Sequence, residues 1–167
     1  MKLSFLIVSV SAVSANTFNR GLRESSTGPS CTTPIDFALL IDESGSMKKP
    51  FDNSTIMDGP NGAKAFAKNL VSKYSLGENA THFSVVSFAE NATTRVPWSY
   101  NAAEIDAGID NMTADGKTSI SGGFEAVQKL FNDTGRDGAT KIVLLLSDGF
   151  QSDEFSEDGK TPLETVL

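Results

Sequence analysis

Two near-continuous apolar runs, Ile35-Asp36-Phe37-Ala38-Leu39-Leu40-Ile41 and Ile142-Val143-Leu144-Leu145-Leu146, both run out onto a carboxylate. Asp42 follows the first directly, and Asp148 follows the second after Ser147. Runs this short and this apolar predict strands buried on both faces. Between them, Ala63, Phe66, Ala67, Leu70, Val71 and Tyr74 recur at helical spacing and make one apolar face. Residues 83–88 predict a second strand, and 93–98 a short third one that turns back, with Pro97 suited to a sheet edge. Residues 102–109 predict a helix, the spacing of Ile120, Phe124, Val127 and Phe131 another, and 141–147 the fourth strand. Strands alternating with helices imply an α/β chain: a mostly parallel sheet flanked by helices. Ligands of such sheets sit at the carboxyl ends of strands where strand order reverses, and Asp42 and Asp148 occupy two such ends.

Chemistry gathers at the same ends. Asp42-Glu43-Ser44-Gly45-Ser46 places one carboxylate and two hydroxyls at alternating positions. Thr118, in Asp115-Gly116-Lys117-Thr118-Ser119, lies just ahead of the third helical pattern, and Asp148 begins Asp148-Gly149. These are hard oxygen donors. Mg²⁺ takes one or two carboxylates and leaves its other positions to neutral oxygens and water.

In order and in context, Asp42-x-Ser44-x-Ser46, Thr118 and Asp148-Gly149 resemble the metal-ion-dependent adhesion site of the von Willebrand factor A domain. Integrin I domains and many matrix and adhesion proteins share that domain. The resemblance covers residues 34–167 and implies a Rossmann-like fold. It also implies that Ser44 and Ser46 bind a cation directly, Thr118 directly in the ligand-engaged state, and Asp42 and Asp148 directly or through water. One coordination position is then open to an Asp or Glu of a partner, with Mg²⁺ (or Mn²⁺ or Ca²⁺) as the bridge between two proteins. Two carboxylates leave a divalent site near neutral, so an incoming carboxylate is not repelled. The family's full domain carries two further strands and two further helices, and often a cysteine before the first strand paired with one near the domain's end. By that resemblance the chain is C-terminally incomplete: Cys31 has no partner, strand four is left as an apolar edge, and residues 162–167 begin a further helix.

The chain's start reads as a secretory signal, residues 1–15: Lys2, an apolar stretch over 3–13, and small residues before Asn16. It is too short for a membrane span, the alternative being a buried first strand. A polar lead-in over 16–33 follows. Asn53, Asn79, Asn91, Asn111 and Asn132 each open an Asn-x-Ser/Thr acceptor, consistent with an exported glycoprotein. A lone Cys31 implies an absent partner, an intermolecular bridge or a free thiol. The net charge of −7 carries no offsetting Lys/Arg cluster, which disfavours nucleic acid and anionic membranes. Asp148, Asp153, Glu154, Glu157 and Asp158 are chiefly a solvated acidic loop.

Other chemistries fail on their own requirements. Gly116-Lys117-Thr118 lacks the Gly that a phosphate-binding loop needs at position 111, which is Asn. Residues 133–138 lack the alternating carboxylates of a calcium loop and read as a turn. His82, the only histidine, sits ahead of the second strand in a surface or packing role, so no zinc site or Ser-His-Asp set is arguable. Asp42 has no positioned base or basic phosphate clamp beside it, so no enzyme is expected. The link over residues 47–62 is longer than the resembled family's, and a glycan on Asn53 would stand near the metal face and narrow access. The resulting expectation is a secreted, metal-dependent protein-binding module of adhesion or matrix type, free or held at the surface through a longer parent protein. The alternative is a structural or oligomerising module, or a fragment, that binds no metal.

Overall fold

A computed structural model describes residues 4–10 and 33–156. Cys31, the cleavage region at 13–15, most of the lead-in, Glu157, Asp158 and the helix start at 162–167 lie outside the described residues. The strands are β1 (Ser4–Val10), β2 (Ile35–Asp42), β3 (Pro50–Phe51), β4 (Ser54–Thr55), β5 (Thr81–Phe88), β6 (Ala92–Ser99) and β7 (Thr140–Ser147). The α-helices are α1 (Ala63–Val71), α2 (Ala102–Asp110) and α3 (Ile120–Thr134), with single 3₁₀ turns at Gly45–Lys48 and Asp153–Phe155.

Five strands form one sheet in the order β1-β7-β2-β5-β6, with β2 parallel to both neighbours and the two edge strands antiparallel. The alternation of side chains along β2 divides the core. Phe37, Leu39 and Ile41 face α1 and α2, packing with Ala63, Ala67, Val71, Ile105 and Ile109. Ala38 and Leu40 face α3, packing with Ile120, Phe124, Val127 and Phe131. Helices therefore cover both faces, which explains why the strand reads as apolar throughout. From β2 the chain goes to β5 on one side and later to β7 on the other. Strand order thus reverses beside the carboxyl end of β2, the crevice in which such sheets hold ligands.

Helix α1 is shorter than its apolar pattern. It ends at Val71, and Tyr74 lies in the turn beyond, edge-on to Phe37 and Phe83 at 5.4 and 5.5 Å. The periodicity continued because the turn points Tyr74 into the same core. The strand expected over 93–98 is an antiparallel edge strand, and Pro97 is exposed on it, where no ladder bond is lost. The outer edge of β7 differs from the bare edge expected. Ser4–Val10 pairs along it, from Ser4 opposite Ser147 to Val10 opposite Lys141. A leader's apolar stretch and a strand draw on the same residues, here Phe, Leu, Ile and Val, so composition alone supports both.

At the other end of β2, Arg136 folds back over buried Asp36. Two neighbouring features make testable points. His82 lies inside β5 rather than ahead of it, sits tilted against Tyr100 with ring centroids 5.0 Å apart, and buries Nε2 with no hydrogen-bond partner among the described residues. Burial, and secondarily the Arg136 guanidinium, holds its pKa below the ordinary 6.5. The unfolded chain therefore takes up the proton first. His82 contributes stability above pH 6.5 that is lost as pH falls through its lowered pKa. Melts between pH 7.5 and 5 should show that loss, and His82→Phe should flatten it. On α2, a Cβ added to Gly108 would meet Val96 Cγ2 at 2.2 Å. Gly108→Ala is expected to cost about 1–3 kcal/mol through overpacking, despite alanine's better helix propensity. Urea unfolding measures it.

Candidate metal centre

Asp42 is the last residue of β2 and fully buried. Its Oδ1 accepts the Ser44 backbone N–H at 2.8 Å and its Oδ2 the Ser147 hydroxyl at 2.6 Å. Burial raises its pKa above the ordinary 3.8, opposed by those hydrogen bonds and reinforced by the nearby charge of Asp148. The chain then turns out of the sheet, so that the Ser44 and Ser46 hydroxyls lie 3.0 Å apart. Ser46 Oγ donates to Asp148 Oδ1 at 2.5 Å, across 102 residues of sequence. Asp42, Ser44, Ser46 and Asp148 are thus joined around one point between the ends of β2 and β7.

Thr118 arrives on a separate loop. That loop is held against the first by backbone bonds from Gly45 N to Gly116 O (2.9 Å) and from Asp115 N to Glu43 O (2.7 Å). Ser119 caps α3 immediately afterwards, its side chain accepting from Gly122 N. Thr118 makes no hydrogen bond to the other four candidate residues. Its backbone N–H donates to Ser152 Oγ (3.1 Å) and its carbonyl accepts from Ser152 N (2.8 Å). Its side-chain hydroxyl has no partner among the described residues.

The donor chemistry fits a hard divalent cation. An octahedral Mg²⁺ with bonds near 2.1 Å sets adjacent oxygens about 3.0 Å apart, and the Ser44 and Ser46 hydroxyls have that spacing. No group of three or more His, Cys, Asp or Glu that could hold a metal occurs among the described residues. The candidate set carries two carboxylates and three hydroxyls, so its capacity lies in neutral oxygen.

Several supporting residues escaped the sequence reading. Glu43, between two candidate ligands, is buried and turns back to Arg95, which grips both carboxylate oxygens at 2.8 and 2.9 Å. Ser87 Oγ adds a bond to Glu43 Oε1 at 3.0 Å and accepts from Arg95 Nε at 2.9 Å. This pins the first loop to β5 and β6. Gln151 Oε1 accepts from Ser121 N at 2.6 Å, binding the loop after Asp148 to the start of α3. Only Ser147 left a signal, as a lone hydroxyl ending an apolar strand beside Asp148. Lys49 Nζ stands 3.4 Å from Asp148 Oδ2.

The long link over residues 47–62 folds as a hairpin of β3 and β4. Asp52 and Asn53 form its tip, both at positive φ (45° and 63°), a pair suited to a tight two-residue turn. Bonds from Ile56 N to Lys49 O and from Met57 N to Met47 O tie it to the segment just after Ser46. All five acceptor asparagines are exposed.

A mostly parallel α/β sheet with helices on both faces and oxygen donors gathered at its order reversal is the architecture of an A-type domain. Residues 36–165 match the von Willebrand factor type A domain, and the chain belongs to that family. It is 30% identical over 131 residues to the collagen alpha-1(VI) chain of Gallus gallus, covering 72% of this chain and 12% of that protein. It is 24% identical over 157 residues to cuticlin-6 of Caenorhabditis elegans, covering 86% of this chain and 25% of that one. The chain therefore spans a quarter or less of the length of these relatives. Among solved structures, proximal thread matrix protein 1 of the mussel byssus, with a zinc-occupied MIDAS motif, is 28% identical with a TM-score of 0.59. That match covers 73% of this chain and 30% of the other. The vWF domain of the pili tip protein Mfa5 of Porphyromonas gingivalis shares the fold at 20% identity and a TM-score of 0.58, covering 73% and 40%.

Proposed function

We propose that this domain binds a divalent cation, Mg²⁺ in the first instance, through Ser44, Ser46 and Thr118 with Asp42 and Asp148, and through it an acidic residue of another protein. The observation that carries this is the pair of serine hydroxyls 3.0 Å apart between Asp42 and Asp148. A bound cation supplies a positive centre for a partner carboxylate, while the protein's part is to hold five oxygens in place. The Glu43–Arg95 pair and the Ser152 contacts do so by fixing the loops from behind. The role is adhesion or extracellular interaction rather than catalysis, in keeping with collagen, cuticlin and byssal thread matrix relatives. Export on the leader at 1–15, whose removal would take β1 with it and leave β7 at the sheet's edge, and glycans at the five exposed acceptors, Asn53 at the hairpin tip among them, belong to the same proposal. No helix among the described residues is long and apolar enough to cross a membrane.

Melting the protein with 10 mM Mg²⁺ and with chelator tests the function. A site with a dissociation constant of about 1 mM gains about 1.4 kcal/mol from that metal, an upward shift of roughly 2–6 °C. Identical melts across Mg²⁺, Mn²⁺ and Ca²⁺ would overturn it and leave a structural module.

A further inference from the structure

We propose that Lys49 is a built-in competitor of the divalent ion at Asp148, setting how much metal the site needs; this rests on the metal-binding function above. Three lysines rim the centre, and they are not equivalent. Lys48 pairs with Asp115, whose side chain is 87% exposed, and Lys117 with Glu154, which is 44% exposed. Lys49 alone of the three reaches a buried carboxylate: the Asp148 side chain is 1% exposed, and its Oδ2 faces the ammonium at 3.4 Å. The other oxygen, Oδ1, holds the Ser46 hydroxyl. Asp148 thus has a proton donor on one side and a full positive charge on the other.

The position of Lys49 is built rather than incidental. Its backbone N–H donates to Ser46 O at 3.0 Å, closing the 3₁₀ turn that contains Ser46, and its carbonyl accepts from Ile56 N at 3.1 Å. The backbone is therefore held from both sides, while the side chain stays 56% exposed and free to swing. A divalent ion entering the centre meets this ammonium as a like charge. It must either share Asp148 with the lysine or displace the lysine into solvent, at the expense of the ion pair. Both routes weaken metal binding relative to an uncharged side chain. The second leaves a free ammonium at the rim of the docking face, where a partner's carboxylates would arrive.

The test is Mn²⁺ binding to the intact chain, read by calorimetry and by the electron paramagnetic resonance of free Mn²⁺, for wild type and four variants. Lys49→Gln should bind about three- to tenfold more tightly at low ionic strength, and the gap should narrow towards 0.5 M salt as screening removes the repulsion. Lys49→Arg keeps the charge and should stay within about twofold of wild type. Lys48→Gln makes the same change in net charge beside an exposed carboxylate, and separates a local effect from a general one. Asp42→Ala reports whether the binding is at this centre. If wild type binds in an Asp42-dependent way but Lys49→Gln binds equally or more weakly, or no more tightly than Lys48→Gln, this inference is overturned and the metal site stands. If wild type shows no Asp42-dependent binding, the metal reading fails and the role of Lys49 falls with it.

Discussion

Arg136→Ala is expected to destabilise the domain by about 3–5 kcal/mol, the cost of stripping the partner from a buried ion pair. Asp36 is fully buried at the start of β2, and Arg136 Nε and backbone N–H hold its two oxygens at 2.7 Å each. The same guanidinium caps three backbone carbonyls, those of Ile35, Glu78 and Ala80, at 2.8–2.9 Å. Truncation leaves buried Asp36 with only the Arg136 backbone N–H and takes a donor from all three carbonyls, of which Ala80 O keeps the Ile35 N–H. For a domain of this size the loss corresponds to roughly 10 °C in melting temperature. The double change Asp36→Leu with Arg136→Met removes the charge together with its partner, and should recover most of the loss. Asp36 and Asp42 stand at opposite ends of β2, so Arg136→Ala should lower the melt while leaving the Mg²⁺-induced shift intact. A drop below about 1 kcal/mol in urea unfolding would show that the clamp is mostly solvated.

That clamp also marks where the sequence stops being readable. The strands and helices were legible because a sheet covered on both faces demands unbroken apolar runs, and helices packed on it demand one apolar stripe each. The three inner strands and the helices follow from those two patterns, whereas β6, polar and half exposed, was placed instead by its position after β5 and by Pro97. The five candidate ligands were proposed for a different reason: Asp42, Ser44 and Ser46 alternate after a buried strand, a pattern that a simple turn cap shares, and their resemblance, together with Thr118 and Asp148, to the A-domain metal site singled them out. What could not be read was support from residues distant in the chain. Asp36 sits in an apolar run as an apparent interruption, and nothing near it names Arg136, 100 residues away. Glu43 reads as a loop acid until β6 brings Arg95 beside it. Lys49 reads as one surface lysine among several, and no Lys/Arg cluster is visible, because the pairing that matters is made across the sheet to Asp148. Local period reveals elements, whereas ion pairs that close the tertiary structure need the topology first. The segment Ser4–Val10 is the converse case, where one apolar composition serves a leader and a strand alike.

Asp42→Asn should reverse its sign of effect with metal. The change keeps the shape of a buried side chain and removes its charge, but it also replaces one accepting oxygen with an NH₂: the Ser44 N–H can keep its acceptor, while the Ser147 hydroxyl must turn to accept instead of donate. Without metal that charge is a burden: burial raises the Asp42 pKa above 3.8, and the charge of Asp148 pushes it the same way. A carboxyl with a raised folded pKa binds its proton more tightly in the native state. Its stabilising contribution is complete below pH 3.8 and is lost as pH rises through the folded pKa. In chelator at pH 7 the relief of that buried charge is expected to outweigh the altered Ser147 bond, so Asp42→Asn should melt no lower than wild type, and any advantage should shrink as the pH is lowered towards 4. In 10 mM Mg²⁺ the order should invert, because wild type gains about 1.4 kcal/mol from a millimolar site while the variant gains nothing. Removing one of two carboxylates from a hard-cation site should weaken binding by about 100-fold or more, since even residues that merely orient a ligand are worth 10–100-fold. The crossing is the diagnostic. A residue that only capped the turn after β2 would make the variant worse under both conditions, with the Mg²⁺ shift unchanged. Parallel melts of the two proteins, with and without metal, distinguish a carboxylate kept for its cation from one kept for its hydrogen bonds.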